Sequence, residues 1–236
     1  NWELLFVRWA ESRGIELDYA TSLDFHHDAE LLDPYSLYLS VGHDEYWSAE
    51  MRDHLEGWID RGGFAAFFSG NTAFWQVRFE EPNDTMVSFK QGFADDPVMG
   101  TDDERLVTTM WSDPLTQRPE SLMTGVSFTR GGYAHCRNAP TGSGGYTEWQ
   151  PDHWAFEEVR LHTGDVIGAD PVVVGYECDG CELALENGVP VSATSPATPI
   201  GFEVLGTAPA RLWETEDLPP QPVSYTHLTL PTILLV

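Results

Sequence analysis

Four consecutive side chains, His43, Asp44, Glu45 and Tyr46, set an imidazole, two carboxylates and a phenol side by side. A second polar run, Ser69 to Trp75, carries Asn71. Groups of these types exchange protons, bind cations and hold polar substrates, which is dense chemistry for two turns. The first run also has a purely structural reading. Asp44 or Glu45 can serve as a helix-start acid, and Tyr46 with Trp47 can staple onto the helix that follows. Spacing alone leaves both readings open.

The elements that must position these residues run from Ser36 to Arg78. Ser36 to Val41 is a short apolar run after the turn signal Asp33-Pro34, as expected of a strand buried in a parallel sheet, and Gly42 breaks it. A helix follows, with Ser48 as N-cap, Glu50 in the first turn and Gly62-Gly63 as the stop. Met51, Leu55, Trp58 and Ile59 make its apolar face, leaving Arg52, Asp53, Glu56 and Asp60 toward water. Phe64 to Phe68 is a second buried strand, so the spacing predicts a right-handed parallel crossover. In open α/β sheets ligands sit beyond the carboxyl ends of strands, which puts the Gly42 to Trp47 and Ser69 to Trp75 loops on one edge.

The run GHDEYWS, the helix ending in RGG, and FFSGN with its aromatic pair and Arg78 resemble the C-terminal domain of the N,N-dimethylformamidase large (beta) subunit family. The likeness extends from about Trp2 to about Leu212 and strengthens again at GYECDG. It implies a flavodoxin-like, glutamine-amidotransferase-like parallel sheet flanked by helices, with a β-rich C-terminal part. It also implies a mononuclear iron, held by two tyrosines and a glutamate, and a small amide as substrate. Tyr46 matches one tyrosine. The segment Asn1 to Phe6 has no tyrosine for the second, and the glutamate is Glu104, Glu120 or neither, Glu120 being the candidate metal ligand. In that chemistry His43, Asp44 or Glu45 would orient ligands or act as general base, and Asn71 would donate to the developing oxyanion.

The rest of the chain bounds these readings. Its formal charge of −26 comes from 38 acids against 12 bases, and Lys90 is the only lysine. Such a field disfavours nucleic acid and anionic membranes as partners. No apolar stretch is long enough to span a bilayer. Asn1 to Arg13 reads as an amphipathic helix, Ile15 to Ala20 as a short strand, and Leu23 to Glu30, with His26-His27, as a polar connection. A domain of this kind should begin with a strand, so an N-terminal strand and upstream domains of the same full-length chain are expected to be missing. Thr85 to Lys90 reads as an edge strand and Asp95 to Glu120 as a loop-rich insertion in which Trp111 and Glu120 could border the site. Thr124 to Tyr133, Val172 to Tyr176, Ile200 to Leu205 and Ala208 to Trp213 read as strands. Residues 1–222 form one domain in this reading. From Val223 to Val236 acids and arginines stop, and the segment resembles a translated sequencing adapter, a non-native tail.

Three function classes compete. The first is iron-dependent C–N bond hydrolysis. The second is glutamine-amidotransferase chemistry, which needs a cysteine on the turn where Ser69-Gly70-Asn71 stands, and none of Cys136, Cys178 and Cys181 follows such a strand. The third is a non-catalytic amidotransferase-like module of a larger protein. Cys178-Asp179-Gly180-Cys181 is half a zinc knuckle, with His135 and Cys136 as distant candidates to complete it.

Overall fold

The computed structural model describes residues 2–133, 144–170, 173–174, 177–212 and 224–230. The chain divides into two compact units, Asn1–Pro119 and Glu120–Thr232.

The first unit opens with α1 (Trp2–Ser12) and α2 (Ser22–His27), continues through β1 (Leu37–His43), β2 (Tyr46–Ser48), α3 (Ala49–Asp60) and β3 (Phe64–Gly70), and ends its regular part with β4 (Trp75–Glu80) and β5 (Thr85–Val87). The crossover expected from sequence is present: β1 and β3 pair in parallel from Leu37 with Phe64 to His43 with Gly70. Ser48 caps α3, its hydroxyl accepting from the Met51 N–H at 3.2 Å. Met51, Leu55 and Trp58 are buried as the periodicity requires, and Phe25, Trp47, Phe74 and Val77 are buried in the same unit. At the far end of α3 the chain turns through Gly63, where a Cβ would sit 2.3 Å from the Trp58 indole.

Several expectations are corrected. Arg52 is fully buried and not on the wet face. Its guanidinium lies 4.5 Å over the Trp111 ring, pairs with Glu56 at 2.6 Å and donates to the Arg118 carbonyl at 2.6 Å, so its charge is compensated inside. Ile15 to Ala20 is irregular, and the supposed polar connection is α2, started by a Thr21–Asp24 capping box. The parallel pairing is confined, among the described residues, to two short pairs, β1 with β3 and β2 with β4. Among the described residues what stands is a mixture of helices and small sheets, without a broad flavodoxin-like sheet. Edge pairing is antiparallel, β4 with β5, as the alternation at Thr85 suggests.

The second unit is β-rich. It holds α4 (Ser121–Thr124), β6 (Gly131–Tyr133), β7 (Tyr146–Glu148), β8 (Val166–Ile167), β9 (Leu183–Glu186), β10 (Val189–Ser192), β11 (Glu203–Leu212) and β12 (Ser224–Leu230). One sheet runs β12-β11-β7-β8, with β6 also on β11. β9 and β10 form a hairpin through Asn187-Gly188, both at positive φ, 53° and 84°, as a two-residue primed turn demands. Of Thr124 to Tyr133 only the last three residues are strand, and the two expected C-terminal strands are one, β11. Ser224–Leu230, within the segment set aside from sequence, pairs with β11 as β12. Val172 to Tyr176 lies partly outside the described residues and Cys136 and His135 wholly so.

Candidate functional site

The two polar loops leave the carboxyl ends of β1 and β3, where Gly42 faces Ser69 and His43 faces Gly70. They stay together beyond the strands. The Ala73 N–H donates to the Asp44 carbonyl at 2.8 Å, and the Phe74 and Trp75 N–H groups both donate to the Glu45 carbonyl at 2.9 Å. From Tyr46 and Trp75 onward the pairing becomes the parallel β2–β4 ladder. The second loop achieves this by placing Asn71 and Ala73 at φ 51° and 50°, the left-handed region. For Ala73 that costs roughly 1–2 kcal/mol, and for Asn71, whose short polar side chain tolerates this region, less.

Asp44 turns inward. Its carboxylate accepts from the Ser40 hydroxyl at 2.7 Å and from the Trp47 indole N–H at 2.9 Å. Burial pushes the carboxyl up from its ordinary value, and the Ser40 and Trp47 bonds offset this only in part. The hydroxyls continue outward, Ser40 Oγ lying 3.0 Å from Ser69 Oγ and Ser69 Oγ 2.7 Å from Thr72 Oγ1. A carboxylate only accepts, so an ionised Asp44 orients the whole row toward itself. Ser69, which has no base nearby in sequence, is thus one hydroxyl removed from a carboxylate in space.

Glu45 Oε1 accepts from the Trp75 indole at 2.7 Å, while Oε2 stands 3.8 Å from His43 Nε2, an ion-pair rather than a hydrogen-bond distance. Tyr46 is half-buried on β2, and its hydroxyl oxygen receives the Lys90 ammonium at 2.6 Å. The same ammonium lies 4.7 Å from the Tyr46 ring centre and 5.3 Å from that of Trp75. Asn71 is 5 % exposed and its Oδ1 has no hydrogen-bond partner among the described residues. A buried acceptor left this way costs about 1–3 kcal/mol until a donor reaches it.

The two loops named from sequence lie side by side, and sequence reasoning missed their neighbours: Lys90, the Ser40–Ser69–Thr72 row, and the indoles of Trp47 and Trp75. Lys90 had a signal, being the single lysine in an acidic chain. Glu120 belongs to the second unit, where it is 1 % exposed and accepts from the Ser127 hydroxyl. Glu104 sits in a short 3-10 turn of the first unit and accepts from the Gly100 N–H at 3.1 Å. His26 and His27 have their ring centres 4.8 Å apart but bind different partners, His26 to Ser48 Oγ at 2.8 Å and His27 to Asp84 at 2.9 Å. In the second unit burial pushes the Cys178 thiol up to about 12 and the Cys181 thiol up to about 11, the protonated and unreactive form at neutral pH. The Cys181 thiol donates to the Gly125 carbonyl at 3.0 Å.

In this α/β unit the imidazole, carboxylate, phenol and ammonium groups stand on segments beyond the parallel strands β1 and β3, the edge at which open α/β sheets bind small molecules. The chain belongs to the N,N-dimethylformamidase beta subunit-like, C-terminal family, whose profile matches residues 1–227. Among characterised proteins it is similar to the N,N-dimethylformamidase beta subunit of an Alcaligenes species, 25 % identical over 229 residues. That match covers 87 % of this chain and 27 % of the relative, so the chain spans about a quarter of that subunit's length. Among the described residues no helix is long and apolar enough to cross a membrane.

Proposed function

We propose that this chain is part of a hydrolase that cleaves the C–N bond of small amides with the help of iron, and that its two parallel strand pairs belong to a glutamine-amidotransferase-like sheet. The observation that carries the functional reading is the pairing of His43 with Glu45 on the loop that runs into Tyr46, with the buried acceptor Asn71 Oδ1 on the loop hydrogen-bonded to it. Family membership supports the same chemistry.

Among the described residues no three His, Cys, Asp or Glu side chains form a cluster, so the reading places the ion on the phenol of Tyr46. A phenol oxygen is a hard donor, and Tyr46 Oη, accepting one hydrogen bond from Lys90, keeps a lone pair for another partner. Tyr46 would hold the metal, with Glu45 and His43 beside it. When bound, such an ion polarises a carbonyl and acidifies a water. His43 or Glu45 would take the proton of the attacking water, the other orienting it. Asn71 Oδ1 would accept from that water or from an amide N–H of the substrate. Asp44, braced by Ser40 and Trp47, would fix the loop and not touch substrate.

The test is Tyr46→Phe in the whole protein. The ring still packs, so melting temperature and circular dichroism should match wild type, while bound iron and the release of amine from a small formamide both disappear. A variant that keeps its iron, or a well-folded wild type that binds no metal, would move the reading to the non-catalytic module.

A further inference from the structure

Lys90 is the only lysine among 38 acidic residues, yet among the described residues no carboxylate pairs with it. The ammonium is set on a phenol and two rings. The backbone shows how. Lys90 has φ 54°, a strained value for a side chain with a Cβ. The strain is fixed by the Lys90 N–H donating to the Thr108 carbonyl at 2.9 Å and the Phe89 N–H donating to Thr108 Oγ1 at 2.8 Å. Thr108 is itself anchored, its N–H and hydroxyl both donating to Asp96 Oδ2 at 2.9 Å, and Asp96 is clamped by Arg78 at 2.8 and 2.9 Å. A buried polar network thus holds one lysine in an unfavourable conformation to set its ammonium on Tyr46.

We propose that Lys90 is a substrate-contacting residue that binds the carbonyl oxygen of a neutral amide and stabilises the negative charge that develops there. An ammonium has three donors and no acceptor, so the bond to Tyr46 spends one N–H and leaves two. The faces of Tyr46 and Trp75 stabilise the cation without neutralising it, which a carboxylate would do. The ligand is a neutral carbonyl and not a free anion because the net charge of −26 repels anions from the whole surface. The inference rests on the amide-hydrolase reading but concerns a different residue and does not pass through the metal.

The single lysine makes the test direct. In the 236-residue chain labelled with 15N-lysine, the side-chain ammonium gives one signal. Titration with acetamide should shift it saturably, and acetate at equal concentration and ionic strength should not. In the whole protein Lys90→Met should lower kcat/KM for a small amide by about 10²–10³-fold, the usual loss for one oxyanion donor, with iron content unchanged. Lys90→Arg, which keeps a donor, should recover part of it. No saturable shift with acetamide, a shift with acetate alone, or Lys90→Met retaining full kcat/KM would each overturn the proposal. Loss of iron in Tyr46→Phe with the lysine shift intact would leave it standing, and a wild type without iron that still shows the shift would fail the metal reading alone.

Discussion

Asp96 supports the lysine only while ionised. Burial pushes its carboxyl up, but hydrogen bonds from Arg78 and Thr108 outweigh this and hold it at about 2, below the ordinary 3.8. A carboxyl depressed on folding stabilises the native state above its ordinary value and loses that contribution as pH falls through the folded one. The window here is from about pH 4 down to about 2, and the contribution is on the order of 2 kcal/mol. Asp96→Asn should be less stable than wild type at neutral pH by roughly that amount, with a flatter acid limb in denaturant melts. Equal acid limbs in the two proteins would show that the Arg78 pair contributes nothing. At this scale the sequence offered residue types without partners. His43, Asp44, Glu45 and Tyr46 were legible as a cluster because they are adjacent. Lys90, 44 positions from Tyr46, was not, since only a strained loop brings it there.

The elements nearest the site were the most legible ones. The cap at Ser48, the apolar stripe of α3 and the two strands around it are local signals, and each appears where it was expected. Arg52 misled because a long guanidinium on the wet side of a helical wheel is ordinarily exposed; here Trp111 and Arg118, far along the chain, cover it. α2 and the Asn187-Gly188 hairpin had readable signals, a Thr-x-x-Asp capping box and an Asn-Gly turn. β4 did not: β5 follows it through the Glu81–Asp84 turn, but its parallel partner β2 comes from before α3. The α3–β3 turn gives a sharp test. Gly63→Ala puts a methyl 2.3 Å from the Trp58 ring, so the indole or the turn must move. The expected cost is about 1–3 kcal/mol, read as a lowered denaturant midpoint at unchanged slope. A midpoint equal to wild type would mean that Trp58 has room to shift.

For the molecule as a whole, two units of different character share the chain, one α/β and one β-rich. The pair of left-handed residues in the second loop has a consequence for how the first unit assembles. Asn71 and Ala73 sit in a backbone basin that an unfolded chain seldom visits, and what keeps this segment there includes the bonds that Ala73, Phe74 and Trp75 make to the Asp44 and Glu45 carbonyls. Those carbonyls are in position only after β1 and β3 have paired. The loop should therefore close last and open first, a local excursion that leaves the β1–β3 ladder intact. In native-state hydrogen exchange the amides of Ala73, Phe74 and Trp75 should exchange together and ahead of Leu39 and Ala66, whereas exchange of all five at one rate would tie loop opening to global unfolding. A chemical centre made this way would be the least durable part of its own scaffold, lost by reversible opening at temperatures where the spectroscopic fold still looks native.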